Sequence, residues 1–407
     1  MSLVFRAATA DDVDRILEVH LAAFPDARGL DERRRAFTTS VFGGLEDLTL
    51  AVDDGEIVGQ AFLFPFELWF GGRPVAAGGI ASLAVAPGAR GRGIAAQIVA
   101  QLHVQSDMRG DALTMLYAFR QGFYARLGYG ATTSRRRLAI DPASIPASWR
   151  SLAREHVRGA RSGDREAICA AYARTAQRKS AWASRGESFW NRHFARERRQ
   201  FLVAATDGGT TGYVAFGLEH EEPHAATTLA VHELCADDDL TRRALIGALG
   251  AMRDQVAEIE MEVDAADPIE LALLDTDGRR FGTDVVEHDL GTIVGGPMVR
   301  IEDVTRAIEA RGYAADGAFD VVVRRGDPSD EEIAVSVEVA SGRATVSPPR
   351  AAHGAIRTSR AALASMLYGG LEPSRAVSLG LAEADPRTVA RIDPILAMAP
   401  LAPIDPF

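Results

Sequence analysis

The chain repeats itself at a distance of about 150 residues, which limits what it can fold into more than any other feature of it. "ADDVDRILEVH", beginning at Ala10, and "SGDREAICAAY", beginning at Ser162, both read as capped helix starts with apolar residues at helical spacing. Asp12 and Ile16 of the first answer to Asp164 and Ile168 of the second, an offset of 152 residues. Further along, "DDGEIVGQAF" and "TDGGTTGYVAF" each read strand, turn, strand. There Asp54, Gly55 and Gly59 match Asp207, Gly208 and Gly212 at an offset of 153. Two independent matches at nearly one offset point to a duplicated α/β domain. A chain of 407 residues exceeds one ordinary domain, and the copies are expected at residues 1–150 and 151–295. From about Gly296 the pattern changes. "RIEDVTRAIEARGY" reads as an amphipathic helix; "FDVVVRRG", "EIAVSVEVA" and "RATVSPP" read as strands; "SRAALASMLYGG" reads as a helix with a glycine stop. Residues 296–407 therefore read as a third, α+β unit.

Composition removes several function classes. With 47% hydrophobic and 25% charged residues the chain reads as soluble and globular. Its longest apolar run, Ala76 to Pro87, is broken by glycines and too short for a membrane span. "MSLVFRAATADD" lacks the apolar core of a signal peptide. The two cysteines, Cys169 and Cys235, make no disulfide framework. The expectation is a cytoplasmic protein with no membrane partner. A net charge of −11 argues against nucleic acid; it fits cationic partners or serves solubility alone. Of the 45 basic side chains one is a lysine, Lys179, and no glycine-rich stretch precedes it. A Walker phosphate loop is thereby excluded. His220 and His224 flank a proline-broken acidic turn, which reads as a solvated loop, and no metal site is expected.

The first copy carries a loop that the second lacks. "VAPGARGRGIAA", Val85 to Ala96, joins an apolar stretch, Gly79 to Ala86, to a helix expected from Gly91 to Met108. A helix start presents unpaired N–H groups and a positive dipole end, glycines let a phosphate approach the backbone, and Arg90 and Arg92 add charge. The loop suits a pyrophosphate. "GRGIAA" fits the dinucleotide pattern G-x-G-x-x-A. That fold, however, calls for an acidic residue at the end of the next strand, where "DALTMLYAFR" ends in Phe119 and Arg120. Arg120 would suit a 2′-phosphate, so NADP stays as an alternative. The second copy has "LAVHELCADDDLTRRALIGAL" at this place, and Asp237, Asp238 and Asp239 would repel phosphates.

Read as R-x-x-G-x-A, Arg90, Gly93 and Ala95 resemble the acetyl-CoA loop of GNAT acetyltransferases. "QGFYARLGYGAT", Gln121 to Thr132, resembles the segment after the fourth core helix in the Eis (enhanced intracellular survival) family. Chain length, a motif-bearing first half, a degenerate second half, an α+β tail and a terminal phenylalanine agree with that resemblance. It implies two tandem GNAT-like α/β domains and a sterol-carrier-like α+β domain. It also implies acetyl-CoA as co-substrate, bound by Leu83, Ala84 and Val85 through the main chain and by Arg90, Gly91, Arg92, Gly93, Ile94, Ala95 and Ala96 at the pyrophosphate, with Phe119 and Arg120 beside it. The reaction it implies is N-acetylation of primary amines of polyamine or aminoglycoside-like acceptors. The Val85 N–H would stabilise the oxyanion, Tyr124 would be the general acid and the carboxylate of Phe407 the general base. Asp26 sits where the family places an acceptor-binding acid; Phe24 and Phe37 either line the same pocket or belong to the core. Relatives carry an acidic residue just before the terminal phenylalanine; here Pro406 takes that place and Asp405 precedes it. The family implies a homohexamer. A non-catalytic acyl-CoA or apolar-ligand binder is the alternative, and Tyr124 and Phe407 discriminate the two.

Overall fold

The computed structural model describes residues 3–25, 30–220, 226–273, 291–324, 332–350, 354–399 and 401. In chain order the first stretch runs β1 (Val4–Ala7), α1 (Val13–Ala23), α2 (Leu30–Thr38), β2 (Leu48–Asp53), β3 (Glu56–Phe70), β4 (Arg73–Val85), α3 (Ile94–Arg109), β5 (Leu113–Leu116), α4 (Gln121–Ala125) and β6 (Gly130–Ala131). The second runs β7 (Arg135–Ile140), α5 (Ala147–His156), β8 (Val157–Gly159), α6 (Arg165–Gln177), β9 (Trp182–Ala183), α7 (Glu187–Ala195), β10 (Arg199–Thr206), β11 (Gly209–Glu219), β12 (Thr228–Ala236), α8 (Asp239–Gly250), β13 (Glu258–Asp264) and β14 (Thr292–Val294). The third runs β15 (Met298–Arg300), α9 (Val304–Ala310), β16 (Gly317–Arg324), β17 (Ile333–Ala340), β18 (Arg343–Ser347), β19 (Ala355–Ser359), α10 (Arg360–Tyr368), α11 (Pro373–Ser378), β20 (Ala382–Glu383) and α12 (Pro386–Leu396). Both expected helix starts and both expected hairpins are present. The β2–β3 turn is built by Asp54 and Gly55, both at positive φ, the backbone that twists a two-residue hairpin correctly.

These elements gather into two compact units, residues 1–132 with 296–401, and residues 133–295. In the first, strands lie in the order β1-β2-β3-β4-β5-β15-β6, mostly antiparallel with a parallel β4–β5 pair. In the second the order is β14-β7-β13-β12-β11-β10-β8, again with one parallel pair, β12–β13. The two parallel pairs identify β13 with β5. In the first sheet the strand between β5 and β6 is β15, which follows the second repeat in the chain. In the second sheet the strand between β13 and β14 is β7, which belongs to the sequence of the first repeat.

Residues 296–401 are thus integral to the first unit. Met298, Val299 and Arg300 pair with Leu116, Met115 and Thr114. Beyond the sheet, Phe70 packs edge-on against Tyr368 at 4.8 Å, Arg73 donates to the Glu309 carbonyl at 3.1 Å, and Arg306 bonds Asp107 at 2.9 Å. The remaining strands form a separate sheet, β18-β17-β16-β19-β20, covered by α10 and α12. Those helices start at Ser359 and Asp385, whose side chains accept from Ala362 N and Thr388 N at 3.1 Å each. Their C-terminal carbonyls converge on Arg311. This fully buried guanidinium donates to Leu367 O at 2.5 Å and Ala397 O at 3.3 Å.

Candidate active site

The site begins where β4 parts from its neighbours. β4 is parallel to β5 over Ala77–Gly79 against Leu113–Met115, and its last residues run on past that pairing. On its other side, against β3, the register shifts between Gln60↔Ala84 and Phe62↔Ala81. One extra β4 residue is accommodated there, with Ser82 at φ 52. At the strand's end Ala86 N–H turns to β3 and bonds Val58 O at 2.9 Å. Successive amides point to opposite edges, so the Val85 N–H is directed to the edge that β5 has left. Val85 O, on that same edge, accepts from Arg90 Nε at 3.3 Å.

The loop that follows is shaped by two glycines. Gly91 and Gly93 stand at φ 79 and 75, and a Cβ on either would meet nothing within 4 Å. They are there for the left-handed backbone and not for tight packing. α3 starts at Ile94, three residues later than the sequence suggests, because the left-handed glycines are not helical. Its first bond runs from Gln97 N to Gly93 O at 3.2 Å, so the amides of Ile94, Ala95 and Ala96 precede any intrahelical partner. Ile94 is buried and holds the helix to the core, while Ala95 and Ala96 are half-buried. Both arginines brace the loop. Arg90 also donates to Ala22 O at 3.1 Å, and Arg92 pairs with Asp53 at 2.6 Å. An open cradle of amides at a helix start suits a phosphate group.

Tyr124 lies on the short helix α4 and shares one apolar core with Ala84, Ala86, Ala89 and Ile94. Its ring meets Phe123 edge-on at 4.9 Å and Tyr129 at 5.8 Å. Tyr129 is fixed in turn: its hydroxyl bonds His103 Nε2 at 2.9 Å and Thr114 at 3.0 Å. Burial, helped by the Arg300 charge, pushes His103 down to about 3, so that ring stays neutral. The hydroxyls of Tyr129, Tyr172, Tyr213, Tyr313 and Tyr368 each bond a group of the protein. The Tyr124 hydroxyl has no such partner among the described residues. Burial pushes Tyr124 up to about 12, which keeps its proton in place. Next to it opens a cavity of 360 Å³ lined by Phe119, Arg120, Gly122, Phe123 and Arg126. Phe119 and Arg120 are not the end of β5, as the sequence suggests; that strand stops at Leu116, and both residues are exposed on the bend before α4.

Just past the end of α1, Phe24 is 38% exposed, while Phe37 on α2 is only 4%. Between them stands His20, stacked on Phe24 at 4.7 Å and edge-on to Phe37 at 4.9 Å. The row continues through Phe62 to Phe64, at 5.3 and 4.5 Å. Sequence reasoning passed over His20, His103 and Thr114; the alternate Phe62-Phe64-Phe66 pattern in β3 was the signal available for the aromatic row. Asp26, Asp405, Phe407 and His224 lie outside the described residues.

The second unit treats the corresponding place differently. Asp238 caps α8 by accepting from Thr241 N at 2.7 Å, and Asp237 is held by Arg174 at 2.8 Å. The helix start that would take a phosphate is filled by carboxylates. Among the described residues no group of three His, Cys, Asp or Glu side chains could hold a metal ion, and no helix is long and apolar enough to cross a membrane.

Fold and site define a class, and comparison with known proteins gives the same one. Residues 4–132 match the family described as "Acetyltransferase (GNAT) domain", and residues 177–301 match a second family of the same description. The chain is an acetyltransferase carrying two GNAT domains in tandem, and GNAT domains use acetyl-CoA. It is similar to N-acetyltransferase Eis of Mycobacterium tuberculosis, 28% identical over 98% of this chain and 97% of the relative. A solved GCN5-related N-acetyltransferase from Anabaena variabilis superposes over both whole chains with a TM-score of 0.82 at 18% identity. Eis1 from Mycobacterium abscessus does so with 0.75 at 21%. These structures share the fold throughout.

Proposed function

We propose that the chain transfers acetyl from acetyl-CoA directly to primary amines of polyamine or aminoglycoside-like acceptors. The observation that carries this reading is Tyr124, a side chain 3% exposed whose hydroxyl has no partner among the described residues, packed in one core with Ala89 and Ile94 at the two ends of the glycine loop. Leu83, Ala84 and Val85 would hold the pantetheine arm through the main chain. Gly91 to Ala96 would hold the pyrophosphate, braced by Arg90 and Arg92, with Phe119 and Arg120 flanking it. Bound there, acetyl-CoA supplies an activated thioester.

The chain's own groups have three tasks. The Val85 N–H, on the edge away from β3, stabilises negative charge gathering on the carbonyl oxygen. The Tyr124 hydroxyl gives its proton to the departing sulfur, and its high pKa keeps that proton available at every working pH. The terminal carboxylate of Phe407 removes the proton of the attacking amine, directly or through water; an α-carboxylate near 3.5 is a weak base unless partly desolvated. Phe24, Phe37, Asp26 and Asp405 would meet the acceptor, whose positive charge suits a chain of net charge −11. The reading also comprises a sterol-carrier-like terminal domain, the partition 1–150, 151–295 and 296–407, a cytoplasmic location and a homohexamer.

The test is acetyl-CoA-dependent thiol release across aminoglycosides, polyamines, lysine-containing peptides and arylamines. Tyr124→Phe and a one-residue C-terminal extension are each expected to lower kcat at least about tenfold, or about 1.4 kcal/mol, with acetyl-CoA affinity kept. Since Tyr124 is pushed up to about 12, the alkaline limb of the pH profile should not fall below about pH 11 on its account. Turnover unchanged in either variant removes that group from its role. Silence across the panel with acetyl-CoA bound points to an acceptor outside the panel or to a binding protein.

A further inference from the structure

The second unit holds a buried charge cluster that no part of the transfer chemistry uses. Arg185, 2% exposed like its partner, grips Glu233 through two bonds of 2.5 and 3.1 Å. Its guanidinium lies over the ring of Tyr172 at 3.8 Å, Phe189 at 4.3 Å and Trp190 at 5.0 Å. Tyr213 donates its hydroxyl to the same carboxylate, and His193 Nε2 stands 3.9 Å away. Burial opposes the charge on Glu233, and Arg185 overrides it, holding the carboxyl below its ordinary value. Three aromatic faces around one desolvated carboxylate are how proteins recognise organic cations.

The repeat gives this cage an address. At the offset of 152, Tyr172 on α6 answers to His20 on α1, the ring between Phe24 and Phe37. At the offset of 153, Tyr213 on β11 answers to Gln60 on β3. Glu233 sits beside the bulge of β12, where the register shifts between Ala215↔Glu233 and Phe216↔Val231; β4 has its bulge in the matching strand. The cage therefore occupies, in the second unit, the place of the α1–β3–β4 aromatic face of the first.

We infer that the second unit keeps a recognition site for an alkylguanidinium cation, lined by Tyr172, Phe189, Trp190 and Glu233, and that the chain fills it from within with Arg185. Its kinship with an acceptor site rests on the proposed function, which puts the acceptor on the corresponding face of the first unit; the cage itself does not.

Arg185→Ala in the full chain empties the cage, and methylguanidinium is the probe. The expected result is a probe-dependent rise in Tm of about 3 °C or more at saturation, absent from the native chain and abolished by adding Glu233→Gln. Where Arg185→Ala does not fold unaided, methylguanidinium in the refolding buffer should restore the yield of folded chain. No response in either Tm or refolding yield overturns the proposal. Propylammonium, tried beside it, decides the kinship. Binding of both cations joins the cage to the acceptor face of the first unit, whereas a response to methylguanidinium alone upholds the site and removes that ancestry.

Discussion

Gln60 shows how a residue's surroundings can be worse than its neighbours' chemistry requires. It is fully buried on β3, and neither end of its carboxamide finds a partner among the described residues. An unpaired buried amide costs roughly 1–3 kcal/mol. Gln60→Leu, similar in volume and without polar atoms, should therefore raise Tm by a few degrees, read by calorimetry; a fall would mean the amide is satisfied. Single residues were also where the sequence said least. Tyr129 and His103 lie 26 positions apart and Arg185 and Glu233 lie 48 apart, and no local pattern announces that such pairs will meet. Gly91 and Gly93 were legible, because a positive φ is a local demand that only glycine meets cheaply.

The loop before α3 acts as an element, a stretch of backbone whose curvature matters more than any side chain in it. Space around Gly93 is open, so Gly93→Ala adds strain from its φ of 75 and no clash. The strain is about 1 kcal/mol or more, and the loop relieves it by turning its amides. Acetyl-CoA affinity measured by calorimetric titration should fall about tenfold while Tm drops by only a few degrees. An unchanged affinity would take the phosphate away from this loop. At this scale the sequence was at its best. Helix starts, hairpins and the third region's alternating strands all follow from spacing and turn residues. It misplaced the end of β5, since an apolar "LYAF" continues the strand pattern past the last residue that has a partner.

For the whole molecule, pattern alone was insufficient. β15 is three residues long, "MVR", and reads the same whichever sheet it enters. Its register on β5 is a nonlocal fact. The repeat predicted two copies of one fold and carried no hint that β7 would enter the second sheet and β15 the first. The placement of β15 makes a clear prediction. A fragment ending at residue 150 lacks the strand between β5 and β6 and should show no cooperative melt by circular dichroism. Linking residues 296–401 to residues 1–132 should restore one. A fragment 1–150 that melts cooperatively with native-like secondary structure would show β15 to be dispensable.

A doubled gene ordinarily keeps a way back, because either copy can decay or be lost while the other goes on working. Here β7, from the sequence of the first copy, lies inside the second sheet, and β15, which follows the second copy, lies inside the first. The first sheet is completed by a strand that the chain reaches only after it has passed through the whole second unit, so its assembly waits on residues far down the sequence.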